Sequence, residues 1–140
     1  GIVGFAAAAE TADLAAMDTQ SAWRDAFAEI VKAAGAEVLG EAAPRLPQTV
    51  SFATPDFASE LQVMGLDLAG VMVSAGAACS SGKVKASRIA EAMGRHDLAP
   101  SVIRVSGGWA TTEADWVRCG EAWGELYARH AARRRQAVEA

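Results

Sequence analysis

Thiols and imidazoles are scarce in this chain: its 140 residues hold two cysteines, Cys79 and Cys119, and two histidines, His96 and His130. The cysteines stand in very different contexts, which excludes a disulfide framework and points to a reducing compartment. Isolated histidines without ligand-like spacing argue against a metal site and against a Cys–His dyad. No apolar stretch is long and unbroken enough to span a membrane. The apolar opening over residues 1–5 lacks a basic start and a cleavage site, so no signal peptide is expected. No initiator Met is present, and the chain is expected to be a piece of a longer protein. Basic charge is thin as well. The net charge is −4, and the one dense cluster, Arg133, Arg134 and Arg135, ends a helical pattern whose C-terminus it would complement. That balance excludes the basic footprint of a nucleic-acid binder. There is no internal repeat or low-complexity linker, and the length fits a single domain, residues 1–140, with one core.

What is present is a succession of short periodic segments. Ile2, Phe5, Ala6 and Ala9 recur at the spacing of one helix face, and Trp23, Phe27, Ile30, Val31 and Ala34 repeat it. Between them, Asp18, Thr19, Gln20 and Ser21 read either as a break or as a polar turn of one long helix. Residues 1–34 thus form a helical lead-in, with Gly35 as a C-cap. A short strand is predicted over 37–39, an irregular connection over 41–47 and a strand over 49–53. Phe57, Leu61, Met64 and Leu68 mark a third helix, with Thr54 or Asp56 as its cap. A strand over 71–74 follows. Ser87 then caps a short helix that buries Ile89, Ala90 and Met93 and ends at Gly94. After a strand over 102–106, the last helix opens at Thr111, Thr112 and Glu113, with Trp116, Cys119, Trp123 and Tyr127 on one stripe. The outline predicts an α+β fold, a small and mostly antiparallel sheet with helices covering one face.

Two residues stand out as candidates for chemistry. Cys79 sits in a stretch that turns from β-formers into Ser, Ala and Gly, where no bulky side chain hinders approach. Nearby Lys83 and Lys85 favour its thiolate; the alternative is an idle loop cysteine. Arg104 is a charge inside the apolar run Val102-Ile103-Arg104-Val105, and alternation places it with Val102 and Ser106. It calls for a bidentate carboxylate, either a ligand's or that of an internal Asp or Glu. Cys119 lies on an apolar helix stripe and reads as core. Gly1 and Gly4 have no preceding strand and make a poor phosphate loop.

In sequence, Val73-Ser74-Ala75-Gly76-Ala77-Ala78-Cys79-Ser80-Ser81-Gly82 resembles the catalytic-cysteine loop of cysteine desulfurases, the class-V aminotransferase-like enzymes that use pyridoxal phosphate. Arg104-Val105-Ser106-Gly107-Gly108 with Thr111-Thr112-Glu113 resembles that family's Arg-x-Ser-x-Gly stretch and the opening of its final helix. Arg45-Leu46-Pro47-Gln48-Thr49, the helix from Ile89 to Gly94 and the opening nine residues resemble further family segments, in the same order. The longer loop resembles the subclass working in iron–sulfur cluster assembly. Two positions depart: Trp109 stands where the family usually has arginine, and Gly107 where leucine is frequent.

The resemblance implies the C-terminal small domain of a fold-type I pyridoxal-phosphate enzyme. Its substrate would be L-cysteine, with the cofactor as electron sink. Cys79 would take the sulfur as a persulfide, releasing alanine, and Arg104 would grip the substrate carboxylate. The persulfide would pass to a sulfur acceptor or an iron–sulfur scaffold protein. The resemblance further implies a cytoplasmic homodimer in the full-length form; composition and hydropathy lead us to expect no nucleic-acid or membrane partner. The cofactor-anchoring lysine has no counterpart in this chain, so no cofactor-binding residue is assigned here and the isolated chain is expected to be inactive. Two alternatives stay open: another class-V enzyme, such as a selenocysteine lyase, and a stand-alone sulfur-carrier or interaction module.

Overall fold

The computed structural model describes residues 1–75 and 86–139. Its strands are β1 (Glu37–Val38), β2 (Thr49–Ala53), β3 (Ser74–Ala75) and β4 (Val102–Ser106), paired antiparallel throughout in the order β1-β2-β4-β3. The helices are α1 (Ile2–Glu10), α2 (Leu14–Ala33), α3 (Ser59–Leu68), α4 (Arg88–Ala92) and α5 (Glu113–Glu139). This is the expected α+β arrangement of a small antiparallel sheet and covering helices.

Period-two alternation divides the sheet into two unlike faces. Val50 lies opposite Val105, and Phe52 lies between Ile103 and Val38. These residues meet Phe27, Ala28 and Val31 of α2, Leu66 of α3, and Trp116, Cys119 and Trp123 of α5 in one dry cluster. Edge-to-face pairs order its aromatic rings: Phe52 with Trp123 at 5.4 Å, and Phe27 with Phe52 and Trp116 at 5.7 Å each. Among the described residues the opposite face is covered at one end only. There Ala53 and Val102 pack with Leu39, with Ala90 of α4, and with Leu98 and Ala99 at the start of the adjoining 3₁₀ turn (Ala99–Ser101).

Two buried glutamines tie the helices together through indoles one heptad apart on α5. Gln62 of α3 accepts a hydrogen bond from Trp123 Nε1 at 3.0 Å and donates to the Phe57 and Ser101 carbonyls at 2.7 and 3.0 Å. Gln20 of α2 accepts from Trp116 Nε1 at 3.1 Å and donates to the Gly108 carbonyl at 2.9 Å. Both amides are buried and satisfied, which is the condition for a polar group to sit in a core without a desolvation penalty.

Several boundaries differ from expectation. The helical lead-in breaks at Thr11 and Ala12, not at residues 18–21, and Asp13 caps α2 by accepting from Ala16 N at 3.0 Å. Residues 18–21 are helical, and Gln20 turns inward because Trp116 and Gly108 await it. The expected C-cap at Gly35 is there: its φ of +92° lets Ala36 N–H close a bond to the Val31 carbonyl at 3.0 Å. Neither Thr54 nor Asp56 caps α3. Pro55 and Asp56 (φ +61°) instead form a turn closed by Phe57 N–H on the Thr54 carbonyl at 3.1 Å, and Ala58 precedes the helix. Leu61, Met64 and Leu68 are exposed, because α3 turns Ser59, Gln62 and Leu66 inward. On α4, Ala90 is buried while Ile89 faces out, as does Met93 just past its end; a five-residue helix lying flat on Leu98 and Ala99 offers room for one small side chain. The strand expected over 71–74 forms at Ser74–Ala75. Arg133, Arg134 and Arg135 precede the last turn of α5, and Arg134 pairs with Asp56 at 3.0 Å.

Candidate functional site

The uncovered part of the second sheet face is polar. It carries Thr49 and Ser51 from β2, Ser74 from β3, and Arg104 and Ser106 from β4. β4 is an inner strand, so Arg104 is flanked on both sides, by Ser51 and by Ser74. The Thr49 hydroxyl donates to Ser106 Oγ at 3.3 Å. Arg104 is exposed, and among the described residues no carboxylate lies within ion-pair distance of it. The internal ion pair open to it on the sequence is not formed among these residues. Its neighbour on the same face, Val102, is buried under α4, so the face passes from dry to open within two residues.

A guanidinium here is held at its root by two ladders of backbone hydrogen bonds while its head stays in water. Such a head could meet a carboxylate with little reorganisation of the strand.

Cys79 lies outside the described residues, as do Lys83 and Lys85. Ser74, five positions before Cys79 in the sequence, is the Cα partner of Arg104. The chain thus enters the cysteine stretch from the strand next to the arginine.

The other thiol behaves as the sequence predicts. Cys119 is buried on α5 within the main cluster, and burial pushes its pKa up to about 11. A thiol so far from its thiolate is inert at neutral pH. His130 stacks on Phe57 at 4.2 Å and donates through Nε2 to the Asp56 carbonyl at 3.0 Å, a structural role. Among the described residues no group of three His, Cys, Asp or Glu side chains could hold a metal ion.

Past Arg104 the chain makes a tightly held turn. Gly107 N–H donates to the Gln48 carbonyl and Gly108 N–H to Thr111 Oγ1, both at 2.8 Å, while Gln20 holds the Gly108 carbonyl. Thr112 and Asp115 then close a capping box on α5: Asp115 Oδ2 accepts from Thr112 N at 2.8 Å, and Thr112 Oγ1 from Asp115 N at 3.4 Å. The Thr112 backbone N–H first, and then the Thr112 hydroxyl donating to the same Oδ2 at 2.8 Å, hold the Asp115 carboxyl below its usual pKa. Trp109 follows the turn and is 88% exposed.

Sequence reasoning missed Gln20 and Gln62. Their spacing held a signal: Gln20 and Arg24 continue the Phe27, Ala28 and Val31 stripe toward the helix start, and both are buried. Only their polar character hid them.

Residues 1–118 match the aminotransferase class-V family. The cysteine desulfurase of Cereibacter sphaeroides is 37% identical over 118 residues, covering 82% of this chain and 30% of the relative. The cysteine desulfurase of Trichormus azollae is 31% identical over 135 residues, covering 92% and 34%. A protein named cysteine desulfurase IscS from Dictyoglomus turgidum is 34% identical over 122 residues, covering 82% and 31%. The chain therefore spans about a third of the length of these curated relatives. Among solved structures, a NifS-like protein from Rickettsia africae superposes with a TM-score of 0.66 at 23% identity, over 78% of this chain and 28% of that one. Spanning most of its length, with a sheet and helices in the arrangement of a NifS-like protein, the match places this chain in the aminotransferase class-V family.

Proposed function

We propose that the chain is the C-terminal small domain of a pyridoxal-phosphate-dependent cysteine desulfurase, with Arg104 as the substrate-carboxylate anchor and Cys79 as the sulfur acceptor. The observation that carries this reading is Arg104 itself: a cation on an inner strand, flanked by serines and without a carboxylate partner among the described residues. The names of the similar proteins supply the reaction class. In it, Arg104 fixes the carboxylate of L-cysteine by charge-assisted hydrogen bonds. Cys79 receives the sulfur as a persulfide, alanine is the organic product, and a sulfur-acceptor or iron–sulfur scaffold protein takes the sulfur on. The working form is a cytoplasmic homodimer of the full-length enzyme.

The described residues do not fit the cofactor. Lys32, their one lysine, lies 2.7 Å from both Glu29 and Glu41. Its hydrogen bonds, that to Glu29 first, raise its pKa and keep it an ammonium. A lysine that captures an aldehyde does so as a neutral amine. The cofactor site is accordingly assigned to the rest of the longer protein.

The test is steady-state turnover of L-cysteine by the full-length enzyme. Cys79→Ser is expected to abolish sulfide release. Arg104→Gln is expected to lower kcat/KM roughly 10- to 100-fold, the value of a charged hydrogen-bonded contact. Full sulfide release by Cys79→Ser, or an unchanged kcat/KM for Arg104→Gln, would refute the assignment. Faster turnover of selenocysteine than of cysteine would move the enzyme to the lyase alternative.

A further inference from the structure

We propose that Gln20 is a positioning residue for the Arg104 face, and that it occupies the space a side chain at position 107 would otherwise fill. The inference rests on the assignment of Arg104 as substrate anchor.

A Cβ built on Gly107 would fall onto Gln20 Oε1, with Gln20 Cδ at 3.0 Å and Thr111 Cγ2 at 3.3 Å. The Gln20 side chain and a residue-107 side chain thus exclude each other. Gln20 is 2% exposed and spends both halves of its amide here, one on Trp116 Nε1 and one on the Gly108 carbonyl. It thereby ties the end of β4 to α2 and α5 at once. Immediately before this turn Ser106 faces the open polar surface, with Arg104 two residues further back, and immediately after it comes the exposed Trp109. Gln48 and Thr111 fix the turn's amide hydrogens, and Gln20 fixes its carbonyl. Without the amide the turn keeps its donors paired but loses its tether to the core. Trp109 and the exit of β4 are then free to shift relative to Arg104. A leucine at 107 packed into the vacated space would supply an apolar tether instead, so the two devices substitute for one another.

The experiment compares Gln20→Ala, Gly107→Leu, the double variant and Arg104→Gln in the full-length enzyme, reading thermal midpoint together with KM and kcat for L-cysteine. Each single variant is expected to lower the midpoint, and the double variant to recover most of the loss. Gln20→Ala is expected to raise KM roughly two- to tenfold, the worth of one hydrogen bond, with kcat changed less. The double variant restores KM. A lowered midpoint with unchanged KM would make Gln20 merely structural and overturn the proposal. So would additive losses in the double variant, because they would show that the two side chains do not compete for one space. If Gln20→Ala does not fold, the double variant decides: its folding with near-parental KM supports the proposal, and its failure to fold overturns it. If Arg104→Gln leaves KM unchanged, the carboxylate-anchor assignment fails on its own. If Arg104→Gln raises KM and Gln20→Ala does not, only the positioning inference fails.

Discussion

The two faces of one small sheet are made by the same strands and do opposite work. On one face Phe52, Ile103, Val50 and Val105 lock into helices through edge-to-face rings and two glutamine–indole bonds. On the other, Ser51, Ser74, Ser106 and Arg104 meet solvent, and apolar packing stops at Val102. Alternation permits this division, because each strand offers every second side chain to each side. The packed face supplies rigidity that an exposed arginine cannot supply for itself. A guanidinium on such a strand keeps its root in place while its head is free to bind.

Substitutions that separate the faces sharpen this contrast. Trp123→Ala removes a fully buried ring from the packed face and should cost about 3–5 kcal/mol, read from denaturant unfolding. A cost near zero would mean that the packed face is not the core. Gln62→Ala strips the Trp123 N–H and two backbone carbonyls of their partner, and should cost about 1–3 kcal/mol. Gln62→Leu keeps the bulk but not the bonds and should recover little of it.

The Cys119 thiol supplies a pH test. Its pKa is raised to about 11 in the folded state, so its contribution is complete below the ordinary thiol pKa and is lost as pH rises through about 11. The unfolding midpoint should fall over that window, and Cys119→Ala should remove this component of the fall. At the small end, Arg104→Gln on the open face should shift stability by less than about 0.5 kcal/mol while changing substrate binding. A large loss of stability there would mean that Arg104 is structural after all.

Much of the fold was legible in order and type. The strands at 49–53 and 102–106, the terminal aromatic helix and the buried Cys119 all follow from period and residue type. What escaped was the facing of α3 and α4. Leu61, Met64 and Leu68 read as a core stripe, yet the buried stripe holds Gln62, whose polarity is offset by the nearby Phe57 carbonyl and by two partners from distant segments, Ser101 and Trp123. Nothing local to residues 59–68 announces the two distant ones. The site divided in the same way. Arg104 was conspicuous as a charge among β-branched residues, whereas Gln20 looked like one polar residue in a polar turn.

Residue type and spacing alone set which residues alternate, which helix carries the indoles, and that a lone arginine interrupts an apolar strand. The sequence also determined the family, since ordered short motifs survive where overall identity is modest. The folded arrangement selects which face of the sheet stays open among the described residues, and sets Arg104 there between two serines. It decided too that Gly107 is small because Gln20 reaches across from α2 to the same space. These outcomes depend on pairings between segments tens of residues apart, and exclusion between two side chains exists only once the backbone has brought them together.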